Sequence, residues 1–205
     1  AMIPAILREN GYNTMAIGKW HLTPDEHTTP AGPYDLWPLG QGFERFYGFL
    51  SGATSQWEPD LWEDNHLVEP PARPEDGYHL SADLVDKASD WISAQKAVAP
   101  SKPFFLYLSF GAVHTPHHAP QEYIDRYRGA FDAGWDVVRT ETLARQKALG
   151  IMPASAELPP LNPGVTAWDA LSDDQRRLFA RQMEAFAAFT THTDDQIGRL
   201  MEVLN

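Results

Sequence analysis

Cysteine is missing from all 205 residues, which excludes disulfides and thiolate metal sites within them. Positive charge is scarce as well: 16 Lys and Arg stand against 28 Asp and Glu, a formal net charge of -12. A phosphate-binding face needs clustered cations, and here they are scattered among acids, so nucleic acid is excluded as a partner. No apolar run approaches the roughly 20 residues that cross a bilayer, and no basic stretch followed by an apolar one opens the chain. Neither a membrane span nor a signal peptide is therefore legible, and the compartment stays open. Internal repeats and low-complexity tracts are lacking too. What is present is a 43% hydrophobic and 12% aromatic composition, enough to bury a core in one domain or part of a larger one.

Met2, Ile3, Ile6 and Leu7 form an apolar helical face with no cap before it, so residue 1 reads as an arbitrary start. Gly11 closes that helix, and Asn13 to Ile17 reads as a short buried strand. Gly18-Lys19-Trp20-His21 follows at once. From Leu22 to His79 the chain is rich in Pro, Gly and Trp with little periodicity, which predicts a long ordered excursion. Ser81 is a candidate cap for a helix to about Lys96, with Leu84, Val85, Ala88, Trp91 and Ile92 on one face. Phe104 to Phe110 reads as a strand buried on both faces, and the loop from Val113 to Pro120 carries His114, His117 and His118. A helix is expected within Ala133 to Leu149, then a Pro-rich loop from Ile151 to Leu171. Ser172 with Gln175 forms a capping box for a last helix whose apolar stripe runs to Leu204. Alternating strands and helices point to an α/β fold.

In such folds ligands gather at the carboxyl ends of parallel strands. Lys19 and His21 end the first predicted strand and His114 follows the second, so a shared sheet would bring all three to one rim. Despite the acidic excess, no Asp or Glu occurs from Asn10 to Pro24 or from Trp91 to Gln121. An anion between those segments would meet one ammonium and imidazoles without nearby carboxylates. Taken singly, a lysine after a strand is more often a solvated cation, and a loop histidine more often a hydrogen-bonded structural group. The three loop histidines leave zinc as an alternative, weakly signalled without further ligands. Asp64-Asn65 and Asp194-Asp195 read as surface residues.

The run Gly11-Tyr12-Asn13-Thr14-Met15-Ala16-Ile17-Gly18-Lys19-Trp20-His21-Leu22 resembles the second signature of the type I sulfatases. Gly40-Gln41-Gly42-Phe43-Glu44-Arg45-Phe46-Tyr47-Gly48-Phe49 is similar to the segment that follows it in large bacterial arylsulfatases, and Ala112 to Pro120 resembles their histidine loop. The resemblance implies a partial alkaline-phosphatase-like (sulfatase) fold, a mixed, mainly parallel sheet flanked by helices. It implies hydrolysis of small-molecule or glycan sulfate esters with a formylglycine made from Cys or Ser by a formylglycine-generating enzyme, and a divalent metal, usually calcium. On the matching positions, Lys19 would hold the sulfate, His21 would assist its release at the formylglycine hydroxyl, and His114 would protonate the departing alcohol. A pKa near 6.5 suits an imidazole to proton transfer close to neutral pH.

The family's Cys/Ser-x-Pro/Ala-x-Arg nucleophile motif, its paired aspartates and its later Asp-Asn pair have no counterpart here. Residues 1–205 are therefore expected to be the central part of a sulfatase catalytic domain, inactive alone, with nucleophile and metal ligands outside them. A phosphonate monoester or phosphodiester hydrolase of the same superfamily is one alternative. A non-catalytic anion- or carbohydrate-binding module with Trp37, Trp57 and Trp62 as stacking platforms is another.

Overall fold

Two apolar faces on one set of strands organise the larger part of the chain. The structure is a computed structural model that describes residues 2–205, and these form two units, residues 2–118 with 190–205 and residues 119–189. In the first unit, helix α1 (Ile3–Glu9) takes Pro4 in its first turn and stops where Gly11 adopts φ +87. Strand β1 (Asn13–Lys19) follows, two residues longer than the sequence pattern indicates.

The expected excursion from Leu22 to His79 is not strandless. It contains β2 (Arg45–Phe49), β3 (Leu61–Glu63) and β4 (His66–Val68). With β5 (Phe104–Ser109) they make one sheet of order β4-β3-β2-β1-β5, in which β2, β1 and β5 are parallel and β3 and β4 antiparallel. The α/β class and the mixed sheet flanked by helices agree with the sequence.

Alternation divides the side chains between the faces. Ile17, Tyr47 and Phe49 pack on helix α2 (Leu80–Val98) through Leu84, Val85, Ala88 and Ile92. Ala16 and Phe46 point the other way, into a cluster with Trp20, Trp37, Phe43, Leu50 and Trp62. Trp37 is 0% and Trp62 6% exposed, so neither is a stacking platform. Strand β5 departs from the expected two-sided burial. It lies at the sheet edge and is only partly buried: Phe104, Leu106 and Leu108 pack against the cluster that includes α2, while Tyr107 is 41% exposed.

Helix α2 is not capped by Ser81. Its cap is His79, whose ring accepts the Ser81 N–H at 3.1 Å, while Ser81 lies fully buried inside the first turn. Asp83, also in that turn, accepts from Tyr47 Oη at 2.7 Å and Tyr78 Oη at 3.0 Å. Burial pushes the Asp83 carboxyl above the usual carboxylate range. Burial and then the adjacent Asp83 raise both phenols far above theirs. Asp64 is a structural turn residue rather than a free surface acid: it accepts from the Phe46 N–H at 2.9 Å and pairs with Arg45, whereas Asp194 and Asp195 are exposed.

The second unit holds the short α3 (Gln121–Asp125), α4 (Gly134–Ala148) and the first part of α5 (Asp173–Leu204). Trp168, Leu171 and Ala180 form its core with Phe131, Trp135 and Phe179. The Ser172/Gln175 capping box is reciprocal: Ser172 N–H donates to Gln175 Oε1 at 2.9 Å and Gln175 N–H to Ser172 Oγ at 3.3 Å.

Candidate functional site

The first unit's sheet brings the carboxyl ends of β2, β1 and β5 to one edge. Gly18 pairs with Gly48 on one side and Ser109 on the other, and Lys19 pairs with Phe49. A Cβ on Gly18 would stand 1.9 Å from the Ser109 carbonyl oxygen, and one on Gly48 would stand 2.0 Å from the Gly18 oxygen. Only glycine lets the three strands close up directly beneath the rim, and Gly18 also sits at φ +100, where a side chain is strained.

Beyond the strand ends the pairing continues, as Trp20 N–H donates to the Phe49 oxygen and His21 N–H to the Leu50 oxygen, both at 3.0 Å. Trp20 anchors this turn. Its indole is buried, meets Phe43 edge-on and donates Nε1–H to the Leu36 carbonyl at 2.8 Å, an oxygen that also accepts from Thr23 Oγ1. Half-buried Lys19 and exposed His21 therefore flank a fixed ring. His21 has φ +50, and its imidazole lies over Gly52, where a Cβ would come within 2.8 Å of Cε1 and Nε2.

His114 enters the same edge from β5. Gly111, just past that strand, fits beneath the Phe49 ring and beside Gln56 Nε2, and the His114 N–H donates to its carbonyl at 3.0 Å. The His114 ring is exposed, and Nδ1 lies 2.7 Å from the Thr115 carbonyl oxygen. A carbonyl can only accept, so the proton sits on Nδ1 and Nε2 is the nitrogen left to take up and give a proton.

Lys19, His21 and His114 thus lie on segments that leave neighbouring parallel strands at the same edge, and both acid-free stretches border it. The loop histidines do not form a zinc site. His118 turns inward, its Nδ1 accepting the Gln56 N–H at 3.3 Å, and no cluster of three His, Cys, Asp or Glu suited to a metal occurs among the described residues. Among the described residues no such cluster offers ligands to calcium, and no cysteine is present to become a formylglycine.

The sequence reading missed a ring of side chains behind the rim. His79 is 4% exposed, donates Nε2–H to the His118 carbonyl at 3.0 Å, and has the Trp57 ring edge-on at 4.8 Å and the His192 ring at 4.2 Å. Burial, then His192, lowers its pKa to about 4. Histidine is no habitual helix cap, so nothing local to His79-Leu80-Ser81 signals this role.

The model of the sulfatase family matches residues 1–205. An arylsulfatase of Klebsiella aerogenes is 32% identical over 96% of this chain and 42% of its own length. A Bacteroides fragilis structure described as a sulfatase superposes with TM-score 0.60 at 18% identity, covering 98% of this chain and 39% of that one. The structure of BT4656 with its substrate D-glucosamine-2-N,6-O-disulfate gives TM-score 0.55 at 18% identity, over 98% of this chain and 45% of that one. The chain spans about two fifths of the length of the two curated relatives that match nearly all of it. A family model matched from end to end, on a sheet whose rim carries the Gly-Lys-Trp-His turn, makes this chain a member of the sulfatase family.

Proposed function

We propose that the protein containing these residues is a sulfuric ester hydrolase in which Lys19, His21 and His114 serve one site. The observation that supports the reading is the parallel pairing of β1 with β5, whose carboxyl ends lead into the Lys19–His21 turn and the His114 loop, two segments that contain no Asp or Glu. Cleaving a sulfate ester breaks the bond between sulfur and the alcohol oxygen, leaving charge on both fragments. A fixed ammonium stabilises the sulfonate oxygens, and an imidazolium supplies the proton the alcohol oxygen needs. Lys19 fits the first task. His114 fits the second, because its Nδ1–H is committed to Thr115, which leaves Nε2 of an exposed residue for proton transfer. His21 supplies a second imidazole beside Lys19 for the proton handled on sulfate release.

Residues 1–205 form the central part of the catalytic domain in this reading. The formylglycine nucleophile, the calcium ligands and the segment met by a formylglycine-generating enzyme belong to other parts of the protein. Sulfated sugars are the proposed substrate class. A sulfated glucosamine is the substrate of one structural neighbour. A cavity of about 600 Å³ lined by Trp57, Glu58, Glu69 and Arg73 also offers the aromatic and hydrogen-bonding groups suited to a sugar.

The test is the full-length protein assayed on aryl sulfates and on phosphate diesters. Sulfate-ester turnover that falls on the order of 100-fold or more in Lys19→Ala and in His114→Ala, each still folded, supports the assignment. Preference for the phosphate diester would move the protein to the neighbouring hydrolases, and unchanged rates would remove the substituted residue from the site.

A further inference from the structure

Four hydrogen bonds behind the rim join three segments that are distant in the chain. The Leu80 N–H donates to the Gln56 carbonyl at 2.8 Å, and the Gln56 N–H donates to His118 Nδ1 at 3.3 Å. The His118 carbonyl accepts His79 Nε2–H at 3.0 Å, and His79 Nδ1 accepts the Ser81 N–H at 3.1 Å. The tautomer follows from the partners, because an amide N–H needs an unprotonated Nδ1 and a carbonyl needs a protonated Nε2. His79 is thus a neutral imidazole used at both nitrogens, with Trp57 and His192 against its ring. The circuit ties the segment after β2, the start of α2 and the end of the loop after β5.

That last loop carries His114. Its beginning is held at Gly111, between the Phe49 ring and Gln56 Nε2, and its end at His118 by the circuit. Between them His114 is exposed, and its ring hydrogen-bonds to its own neighbour Thr115. A loop residue with so little contact of its own takes its position from its two anchors. Displacing a reacting group by about 1 Å can cost on the order of 100-fold in rate.

We propose that His79 is a positioning residue that holds the His114 loop at the rim through the His118 carbonyl. It acts through His114 and touches no reacting atom, and this rests on the sulfatase reading of His114 above. Asparagine and glutamine separate its two duties. In His79→Asn the amide oxygen can still accept from Ser81, but the side chain is too short to reach His118. In His79→Gln the amide nitrogen extends to where Nε2 stands.

The experiment measures kcat and KM of the full-length protein on an alkyl sulfate for His79→Asn, His79→Gln, His114→Ala and the His79→Asn/His114→Ala double variant. The expected result is a fall in kcat of about 10- to 100-fold in His79→Asn with little change in KM. Most of the rate should return in His79→Gln, and the double variant should be no slower than His114→Ala. A His79→Asn loss of equal size in both backgrounds, or none in folded protein, overturns the positioning role alone. A wild-type rate in His114→Ala overturns the site reading together with it. Should His79→Asn not fold, His118→Leu, which breaks the circuit at the Gln56 N–H, is tested in the same two backgrounds, and an additive loss there overturns the proposal.

Discussion

Acidification from about pH 7 to about pH 5 should destabilise the protein by roughly 2 kcal/mol through His79 alone. Burial, then the neighbouring His192, lowers the folded-state pKa to about 4, against 6.5 for the unfolded chain. A base whose pKa is depressed by folding binds a proton more readily when unfolded. The stability it contributes is therefore intact above pH 6.5, declines as the pH falls, and is lost by pH 4. At about 1.36 kcal/mol per pH unit the full loss is about 3 kcal/mol, of which about 2 kcal/mol has gone by pH 5. With His79 only 4% exposed, solvent screening does little to reduce this. His192 from α5, His118 from the loop and the Trp57 ring lie around it, and the two imidazoles disfavour a positive charge on it. Protonated Nδ1 would also point a hydrogen at the Ser81 N–H and remove the cap of α2. Urea unfolding at the two pH values, in wild type and His79→Gln, isolates this contribution, because the carboxylates common to both cancel. Wild type should lose about 2 kcal/mol more than the variant over that interval. Identical pH dependence would refute the reasoning.

Gly18→Ala should destabilise by more than about 3 kcal/mol or prevent folding, since its Cβ would meet the Ser109 carbonyl oxygen at 1.9 Å; a neutral effect in thermal unfolding would contradict the close approach of β1 and β5. Ser172→Ala breaks the reciprocal cap of α5 and should cost about 1 kcal/mol, measured by urea unfolding, with no effect on catalysis. The loss of rate in His114→Ala should shrink for activated phenol leaving groups, which depart without a proton, and equal losses across a leaving-group series would argue against an acid role.

Several elements were legible locally because their signals are local. Gly11 ends α1, Ser172 and Gln175 cap α5, and the apolar runs from Asn13 and Phe104 became β1 and β5. Strands β2, β3 and β4 escaped notice inside a Pro- and Trp-rich stretch, since β3 and β4 have only three residues each and depend on cross-strand partners. Ser81 looked like the cap of α2 because cap preferences describe exposed helix ends. The observed end is buried, and there the ring of His79 satisfies the amide.

By itself the sequence determined the chemistry available at the rim. The Gly-Lys-Trp-His turn, the histidine loop and the two acid-free stretches are covalent facts of order, and they carried the family resemblance. Only the tertiary structure decided which groups share a place. It made β1 and β5 hydrogen-bonded neighbours, turned His118 inward and left His114 exposed, buried Trp37 and Trp62, and set His79 between α2 and the loop it holds. Those outcomes depend on contacts between residues tens of positions apart, whose energies come from burial and from partners that no local pattern encodes.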